Sequence, residues 1–592
     1  MPEKTIPHYL IKRAEEFPDK VAMQYKENGE WKPVTWSEYA SFVKTAAKAL
    51  ISLGLQNGDK TCLLGFNRPE WVIFDVASIM AGGIPAGIYE TCSSEEVSYI
   101  ISHSESPVVL VENEEQLNKV LKTRGHLPSL KHIVLMKGTT SDDSMVLSWE
   151  EFLEKGSGLD DSAVQGRLDS LVESEPATFI YTSGTTGPPK AVMLSHMNLV
   201  WTSMAALDML TIGDNDSNLS YLPLSHIAEQ MFTVHGPIVG GIKTSFAENR
   251  DSVADNLKEL QPTIIFGVPR VWEKFHAGVS AKLADAKGIK GILVKWARKQ
   301  AAQYHDIVNN GKTPDAKTKK RYHRAQKLVF SKLRAALGLS NAKYCVSGAA
   351  PISSEILEFF SSLDVPIFEV YGQSEGSGPT SFNIPGKTRY GSVGPPLPGV
   401  EVKIAEDGEI IVKGNNVFLG YYKDEETTRE TLIDGWLHSG DLGKFDKDGF
   451  LWVTGRKKDI IVTSGGKNIT PANIEGALKN FDLVSQAVIV GDNRNFISAL
   501  ITLDETAVSA FAESNSLPGE NLHENTTVKS EIQKGVDEVN SKFMRVANVR
   551  KFTILPRDFT IEDGELTPTM KIKRNVVYKQ WMDTIDEMYA LD

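Results

Sequence analysis

A chain of 592 residues, 41% hydrophobic and 24% charged, is a soluble globular sequence too long for one ordinary core, so two or more domains are expected. The net charge of −12 argues against general nucleic-acid binding. Cys62, Cys92 and Cys345 are far apart and odd in number, which excludes a disulfide framework or a paired-cysteine metal site and fits a reducing, cytoplasmic setting.

Residues 5–17 read as a short helix, and 20–36 as a hairpin turning at Asn28-Gly29. From 36 to 136, helix-period stretches (36–53, 69–82, 94–104, 114–122) alternate with short apolar runs (61–66, 84–88, 107–111, 132–136). That is the pattern of a βαβ sheet with helices on its faces. Residues 154–175 are acidic, Gly/Ser-bearing and weakly periodic, and read as a surface connection. Strands follow at 177–181 and 191–194, and apolar runs return at 218–222, 263–268, 343–347 and 366–371. Residues 270–340 read as two long helices around an Asn309-Asn310-Gly311 turn. After Gly399, short strands and turns suggest a small β subdomain. Residues 459–592 read as an α+β unit with helices near 471–480, 506–515, 528–543 and 574–589. No apolar run approaches the ~18 residues of a membrane span, and no apolar signal region opens the chain.

The stretch 282–334 carries 15 Lys/Arg against 3 Asp/Glu, a local +12 that leaves −24 on the remainder. Ile292, Leu293, Val294 and Trp296 lie among these charges. Two readings fit: an interfacial patch for the anionic cytoplasmic face of a membrane, or a solvated helical face balancing an acidic body.

Several stretches carry chemistry. Tyr181-Thr-Ser-Gly-Thr-Thr-Gly-Pro-Pro-Lys190 joins the strands at 177–181 and 191–194. Gly184 and Gly187 let the backbone turn tightly and bring N–H groups to an anion. Ser183, Thr185 and Thr186 add short donors, and Lys190 adds a mobile positive charge. A Walker loop is excluded, because Pro189 stands five residues after Gly184 and Ala191 follows Lys190. Tyr371-Gly-Gln-Ser-Glu375 ends an apolar strand, with a ring for a purine face and Ser374 and Glu375 for phosphate and Mg²⁺. Ser347-Gly-Ala-Ala-Pro351 is a small-residue turn that lets a flat ligand approach the backbone. Asp441, in His438-Ser-Gly-Asp441-Leu-Gly443, offers an acceptor pair suited to a ribose diol. His226 after a strand and Lys571 in the C-terminal region have plainer readings, as a structural histidine and a solvated lysine.

The ordered string at 181–192 resembles the phosphate loop of the AMP-forming adenylating enzymes, which include acyl-CoA synthetases, luciferases and peptide-synthetase adenylation domains. Ala191 stands where that family has glycine. The other motifs follow in family order from about 180 to 574, and look most like the long-chain fatty acyl-CoA synthetases, including the bubblegum-type branch. Val268-Pro-Arg-Val-Trp272 and the helical insert at about 270–340 contribute to that likeness.

The resemblance implies an α/β fold: a large N-terminal domain, 1–457, of βαβ-type sheets plus a small β subdomain, then a mobile α+β C-terminal lid, 458–592, hinged at Lys458. It implies that Thr182, Ser183, Gly184, Thr185, Thr186, Gly187 and Lys190 hold the ATP phosphates. Tyr371, with Gly372 and Gln373, would pack on adenine, and the turn of Gly348, Ala349 and Ala350 would lie between the adenine and the acyl pocket. Ser374 would meet the α-phosphate, Glu375 and Thr182 the Mg²⁺, and Asp441 and Arg456 the ribose. His226 would separate the acyl and phosphate compartments. Gly465 and Gly466 would line the pantetheine tunnel for CoA, and Lys571 would stabilise the adenylation transition state. Ser374 replaces a threonine and Met570 a glycine of the family pattern.

The expected reaction is activation of a fatty acid by MgATP to acyl-AMP and pyrophosphate, then transfer to CoA. A carrier protein acting in trans is the alternative acceptor, since no carrier module is read after residue 574. A non-catalytic nucleotide- or acyl-binding protein is the alternative from another class. Oligomeric state is not legible.

Overall fold

The structure is a computed structural model that describes residues 4–138, 143–182, 188–567 and 570–590. Its largest sheet has eight strands, with a parallel centre formed by Pro176–Thr182, Ile84–Ile88, Lys60–Leu64, Val108–Val111, His132–Leu135 and Val146–Ser148. Lys190–Ser195 and Gly420–Tyr421 extend one edge antiparallel. Every residue of Ile84–Ile88 and Val108–Val111 is buried, because helices cover both faces; this is why they are continuous apolar runs and not alternating ones. The helix Pro69–Met80 is buried at all positions but Glu70.

A second sheet sets Ser217–Ser220 and Lys243–Phe246 beside the N-terminal hairpin Val21–Glu27 and Glu30–Thr35. Asn28 and Gly29 both take positive φ, at 50° and 81°, as a two-residue hairpin turn of matching twist requires. A third sheet runs Ile264–Gly267, Tyr344–Ser347, Ile367–Gln373 and Gly378–Phe382. A five-stranded antiparallel sheet around Trp436–Phe445 forms the β subdomain. The C-terminal residues build a three-stranded sheet, Val484–Val490, Ile497–Leu503 and Val549–Ile554, with its own core packed by Pro471–Leu478 and Thr526–Lys542.

Four expectations need correction. The connection at 154–175 contains a helix, Asp161–Asp169, held to the body by Val164 and Leu168. The first long helix of the insert is two, Pro269–Ala284 and Gly288–Asn309, broken where Gly288 takes φ +61°. The second passes through a π-turn, Gln326–Phe330, between Ala316–Ala325 and Ser331–Leu337. The final helix splits at Trp581 into Arg574–Gln580 and Met582–Tyr589. All three cysteines are buried and free. Among the described residues no helix is long and apolar enough to cross a membrane.

One buried group gives the core a pH signature. Asp75, 1% exposed on Pro69–Met80, has no hydrogen-bond partner for either oxygen among the described residues. Burial pushes its carboxyl up to about 8. A raised native pKa stabilises fully below the unfolded value near 4 and is lost as pH rises towards 8. By pH 7 the loss reaches about 4 kcal/mol at ~1.4 kcal/mol per pH unit. Asp75→Asn is expected to narrow the gap between the Tm at pH 5 and at pH 7.5, raising the latter by about 3 °C. An unchanged gap in thermal scans would contradict this origin.

Candidate active site

Side chains from the first and third sheets and from the β subdomain meet one another, and Lys571 of the C-terminal unit lies within electrostatic reach of them. Tyr371 lies on Ile367–Gln373, which folds back onto Gly378–Phe382 with Gly372 opposite Pro379. The return is so tight that a Cβ on Gly372 would stand 1.7 Å from the Gly378 carbonyl oxygen. The hydroxyl of Tyr371 donates to Asp441 Oδ2 at 2.8 Å, and Arg456 Nε donates to Asp441 Oδ1 at 2.9 Å. Asp441 and Arg456 are register partners on adjacent strands, so the sheet itself fixes this pair. Burial, then the Asp441 carboxylate, hold the Tyr371 hydroxyl well above its usual range, so it remains a donor. Each Asp441 oxygen keeps a further lone pair for a ligand hydroxyl.

Ser374, 7% exposed, and Glu375 form the 3-10 turn after Gln373. Glu375 Oε1 accepts from the Tyr421 hydroxyl at 2.8 Å. Lys190 Nζ lies over the Tyr421 ring at 5.4 Å, 2.8 Å from Asp424 Oδ2 and 2.5 Å from Thr427 Oγ1. Thr182 and Lys190 pair across the strands Pro176–Thr182 and Lys190–Ser195. Ser183, Gly184, Thr185, Thr186 and Gly187 lie outside the described residues. Among the described residues no cluster of three metal-ligating side chains occurs. A Mg²⁺ ion held chiefly by phosphates and water needs only one or two carboxylates, so Glu375, whose second oxygen is engaged by no described residue, fits that demand.

Gly348 has no room for a side chain, since a Cβ would stand 2.5 Å from Val370 Cγ1. Ala349 takes φ +66°, and Ala350 is exposed at the turn. His226 caps the short helix Ile227–Gln230, its Nδ1 accepting from the Ala228 N–H at 3.2 Å. Burial, with Lys571 adding repulsion, pushes its pKa down to about 3, so His226 is neutral and not a cation.

Lys571 sits at a hairpin in which its N–H bonds Thr567 Oγ1 at 3.0 Å and its carbonyl accepts from Thr567 N at 2.7 Å. Met570 takes φ +61°, which explains why glycine suits this position elsewhere and marks a strained turn here. The residue is exposed. The protein around its side chain nevertheless lowers its pKa; Arg456 adds to the lowering, while Asp441 and Glu375 oppose it. The base of the hairpin is fixed by Glu565, fully buried, which accepts from Arg557 at 2.6 Å and from Trp581 Nε1 at 2.9 Å. Arg574 reaches Glu475 at 2.5 Å and lies 4.0 Å from Asp459, beside the exposed Lys458.

Tyr371, Ser374, Glu375, Asp441, Arg456, Lys571 and His226 are thus brought to one cleft. Gly465 and Gly466 are not: they tip an exposed hairpin of Ile461–Val462 and Asn468–Ile469 within the C-terminal unit. Tyr421, Asp424 and Thr427, which hold Glu375 and Lys190, went unread in the sequence. The contact of Arg270, quoted only as part of a family-like string, was also unread: its guanidinium ties the N-terminal body to Asp504 at 3.2 Å.

The chain belongs to the AMP-binding enzyme family. The family model "AMP-binding enzyme" matches residues 10–422, and "AMP-binding enzyme C-terminal domain" matches 458–592. Within that family, the chain is 39% identical to the long-chain-fatty-acid–CoA ligase ACSBG2 of Xenopus laevis, over all of this chain and 84% of that protein. It is 37% identical to the long-chain-fatty-acid–CoA ligase FadD15 of Mycobacterium bovis, over 97% and 95% of the two chains. Its fold matches the crystal structure of the adenylation domain of a carboxylate reductase from Mycobacterium chelonae, with a TM-score of 0.76 at 20% identity, over 100% and 92% of the chains.

Proposed function

We propose that the protein activates a long-chain fatty acid in two steps. The acid's carboxylate oxygen attacks the α-phosphorus of ATP, the bond to the β-phosphate oxygen breaks, and pyrophosphate leaves. The thiolate of CoA then attacks the acyl carbonyl, and AMP departs. The observation that carries this reading is Lys571 entering the cleft within electrostatic reach of His226, Glu375, Asp441 and Arg456. Likeness over the whole chain to curated long-chain-fatty-acid–CoA ligases supports the substrate class.

In this reading Asp441 and Arg456 bind the ribose, Tyr371 with the turn 348–350 frames the adenine, and Lys190 with 182–187 holds the phosphates. Glu375 and Thr182 would hold Mg²⁺, which neutralises charge on the phosphates. Lys571 meets charge developing at the α-phosphate, a positioned stabiliser that needs no general base beside an ionised acid. Rotation of 458–592 about Lys458 then withdraws Lys571 and brings in the Gly465-Gly466 hairpin for CoA. ATP–pyrophosphate exchange tests the first step. It is expected only when a long-chain acid is added; exchange without acid, or none with any acid, contradicts the reading.

A peripheral membrane position is part of the proposal. No residue of 281–296, where two helices of the insert meet, is fully buried. Ile289 and Ile292 there are 85% and 71% exposed. Lys282, Lys287, Lys290 and Lys295 surround them against one carboxylate, Asp285. Two inserting isoleucines within a basic ring match an anionic bilayer, which supplies apolar depth and negative charge together. The pair Ile289→Ser and Ile292→Ser is expected to lower partition onto phosphatidylglycerol-containing vesicles by about tenfold or more. Flotation of the double variant equal to that of the parent would remove this docking mode.

A further inference from the structure

The chemistry proposed above does not use Glu229, three residues after His226. Its side chain is 1% exposed, yet one oxygen gathers four donors: Asn67 Nδ2 at 3.2 Å, Ser220 Oγ at 2.9 Å, Tyr221 N at 3.1 Å and Thr233 Oγ1 at 2.8 Å. Its other oxygen is buried with no partner among the described residues. Burial pushes the carboxyl up to about 7 against the pull of those bonds. A buried carboxylate is an expensive way to fill space, and leucine would fill it as well. What leucine would not do is join these elements.

Asn67 follows Lys60–Leu64 in the large sheet, and Ser220 ends a strand of the second sheet. Thr233 lies in a π-turn, Met231–His235, that directly continues the four-residue helix Ile227–Gln230. The segment 222–235 is a loop that enters one helical turn and a π-turn, which runs on directly into Gly236–Gly240. It carries His226 and two apolar side chains that press on the site. Met231 Cγ lies 3.3 Å, and Ile227 Cγ1 4.0 Å, from where a Cβ on Gly378 would stand, just past Ser374 and Glu375. Phe232 packs on Phe266 at 6.0 Å between centroids, and a Cβ on Gly348 would stand 3.2 Å from that same Phe266. Ser225 is pressed onto the first sheet, where a Cβ on Gly87 would meet its Cα at 2.7 Å.

We propose that Glu229 is a positioning residue that fixes the acyl-facing wall of the site, Ile227, Met231 and Phe232 behind His226, by clamping it to the carboxyl ends of both sheets. It thereby sets the KM for the acid and the preferred chain length, and leaves ATP binding alone. This rests on the adenylation reading above.

The test uses the full chain, with ATP–pyrophosphate exchange measured on acids from eight to twenty carbons, separate KM values for acid and ATP, and a Tm for each variant. Glu229→Gln keeps the accepting oxygen and is expected to stay within about threefold of the parent in acid KM, less than 1 kcal/mol. Glu229→Leu leaves the Ser220 and Thr233 hydroxyls and the Tyr221 N–H without this acceptor, while Asn67 keeps Ser220 and Leu222, and is expected to raise acid KM by about tenfold or more, with a flattened chain-length profile and ATP KM unchanged. Equal rises in both KM values, or a fall in kcat alone, would mean that Glu229 only supports the fold, and overturns the proposal. If Glu229→Leu does not fold, Thr233→Val removes a single donor and is expected to shift acid KM in the same direction; no shift overturns the proposal. A parent protein without acid-dependent exchange would instead overturn the adenylation reading itself.

Discussion

Lys571→Ala is expected to lower the rate of acyl-adenylate formation by about a hundred- to a thousandfold, the usual loss when one preorganised stabiliser of transition-state charge is removed. The expectation follows from where the side chain stands. Its hairpin is closed by the Leu566–Ile572 bridge and two bonds to Thr567, and is anchored below by Glu565 to Arg557 and Trp581. That anchoring delivers the ammonium to the cleft beside Glu375 and Asp441. His226 is neutral and Arg456 is committed to Asp441, so neither takes over its charge. The second half-reaction is expected to behave differently. With acyl-AMP supplied, thioester formation by Lys571→Ala should stay within a few-fold of the parent, because the proposed rotation removes the lysine before CoA attacks. Stopped assays of pyrophosphate release and of acyl-CoA formation from acyl-AMP separate the two steps. Equal loss in both would contradict the two poses.

Asp441→Ala is expected to raise the KM for ATP by about thirtyfold or more while the KM for the acid stays put. Two losses combine. The buried Tyr371 hydroxyl is left without its acceptor, a penalty of about 1–3 kcal/mol, and Arg456 loses the carboxylate that orients it. On the proposed roles the ribose diol loses its acceptor pair as well. Asp441→Asn keeps an acceptor for Tyr371 but not the charge facing Arg456, so it should fall between the parent and the alanine variant. Initial rates at saturating acid, with ATP varied, check this; an unchanged ATP KM would remove Asp441 from the nucleotide site. The contrast with Glu229→Leu is sharp, since that variant moves the acid KM and spares ATP.

The parallel sheet was legible because strands buried on both faces, such as Val108–Val111, are apolar without interruption. Strand Lys243–Phe246 escaped because Lys-Thr-Ser-Phe is short and polar and follows two glycines. Helix Asp161–Asp169 escaped because only Val164 and Leu168 face the body, too few to set up a period. The break at Gly288 was hidden among residues of good helix propensity. In the site, single residues were legible and partnerships were not. Glycine, hydroxyl and lysine at 182–190 announce anion chemistry locally, whereas Lys190 meets Asp424 and Tyr371 meets Asp441 only through the folding of distant strands. Glu229 stood in plain view beside His226, but a glutamate in a loop gives no sign that it will be buried with four donors on one oxygen.

Complete acid–CoA ligation at this site is measured most directly by following AMP and acyl-CoA together from purified protein, MgATP, CoA and acids from acetate to twenty carbons. Equal amounts of AMP and acyl-CoA are expected, with a maximum at long chains. AMP or enzyme-bound acyl-AMP without acyl-CoA would contradict it, moving the acceptor to a carrier protein and removing the CoA role of Gly465 and Gly466.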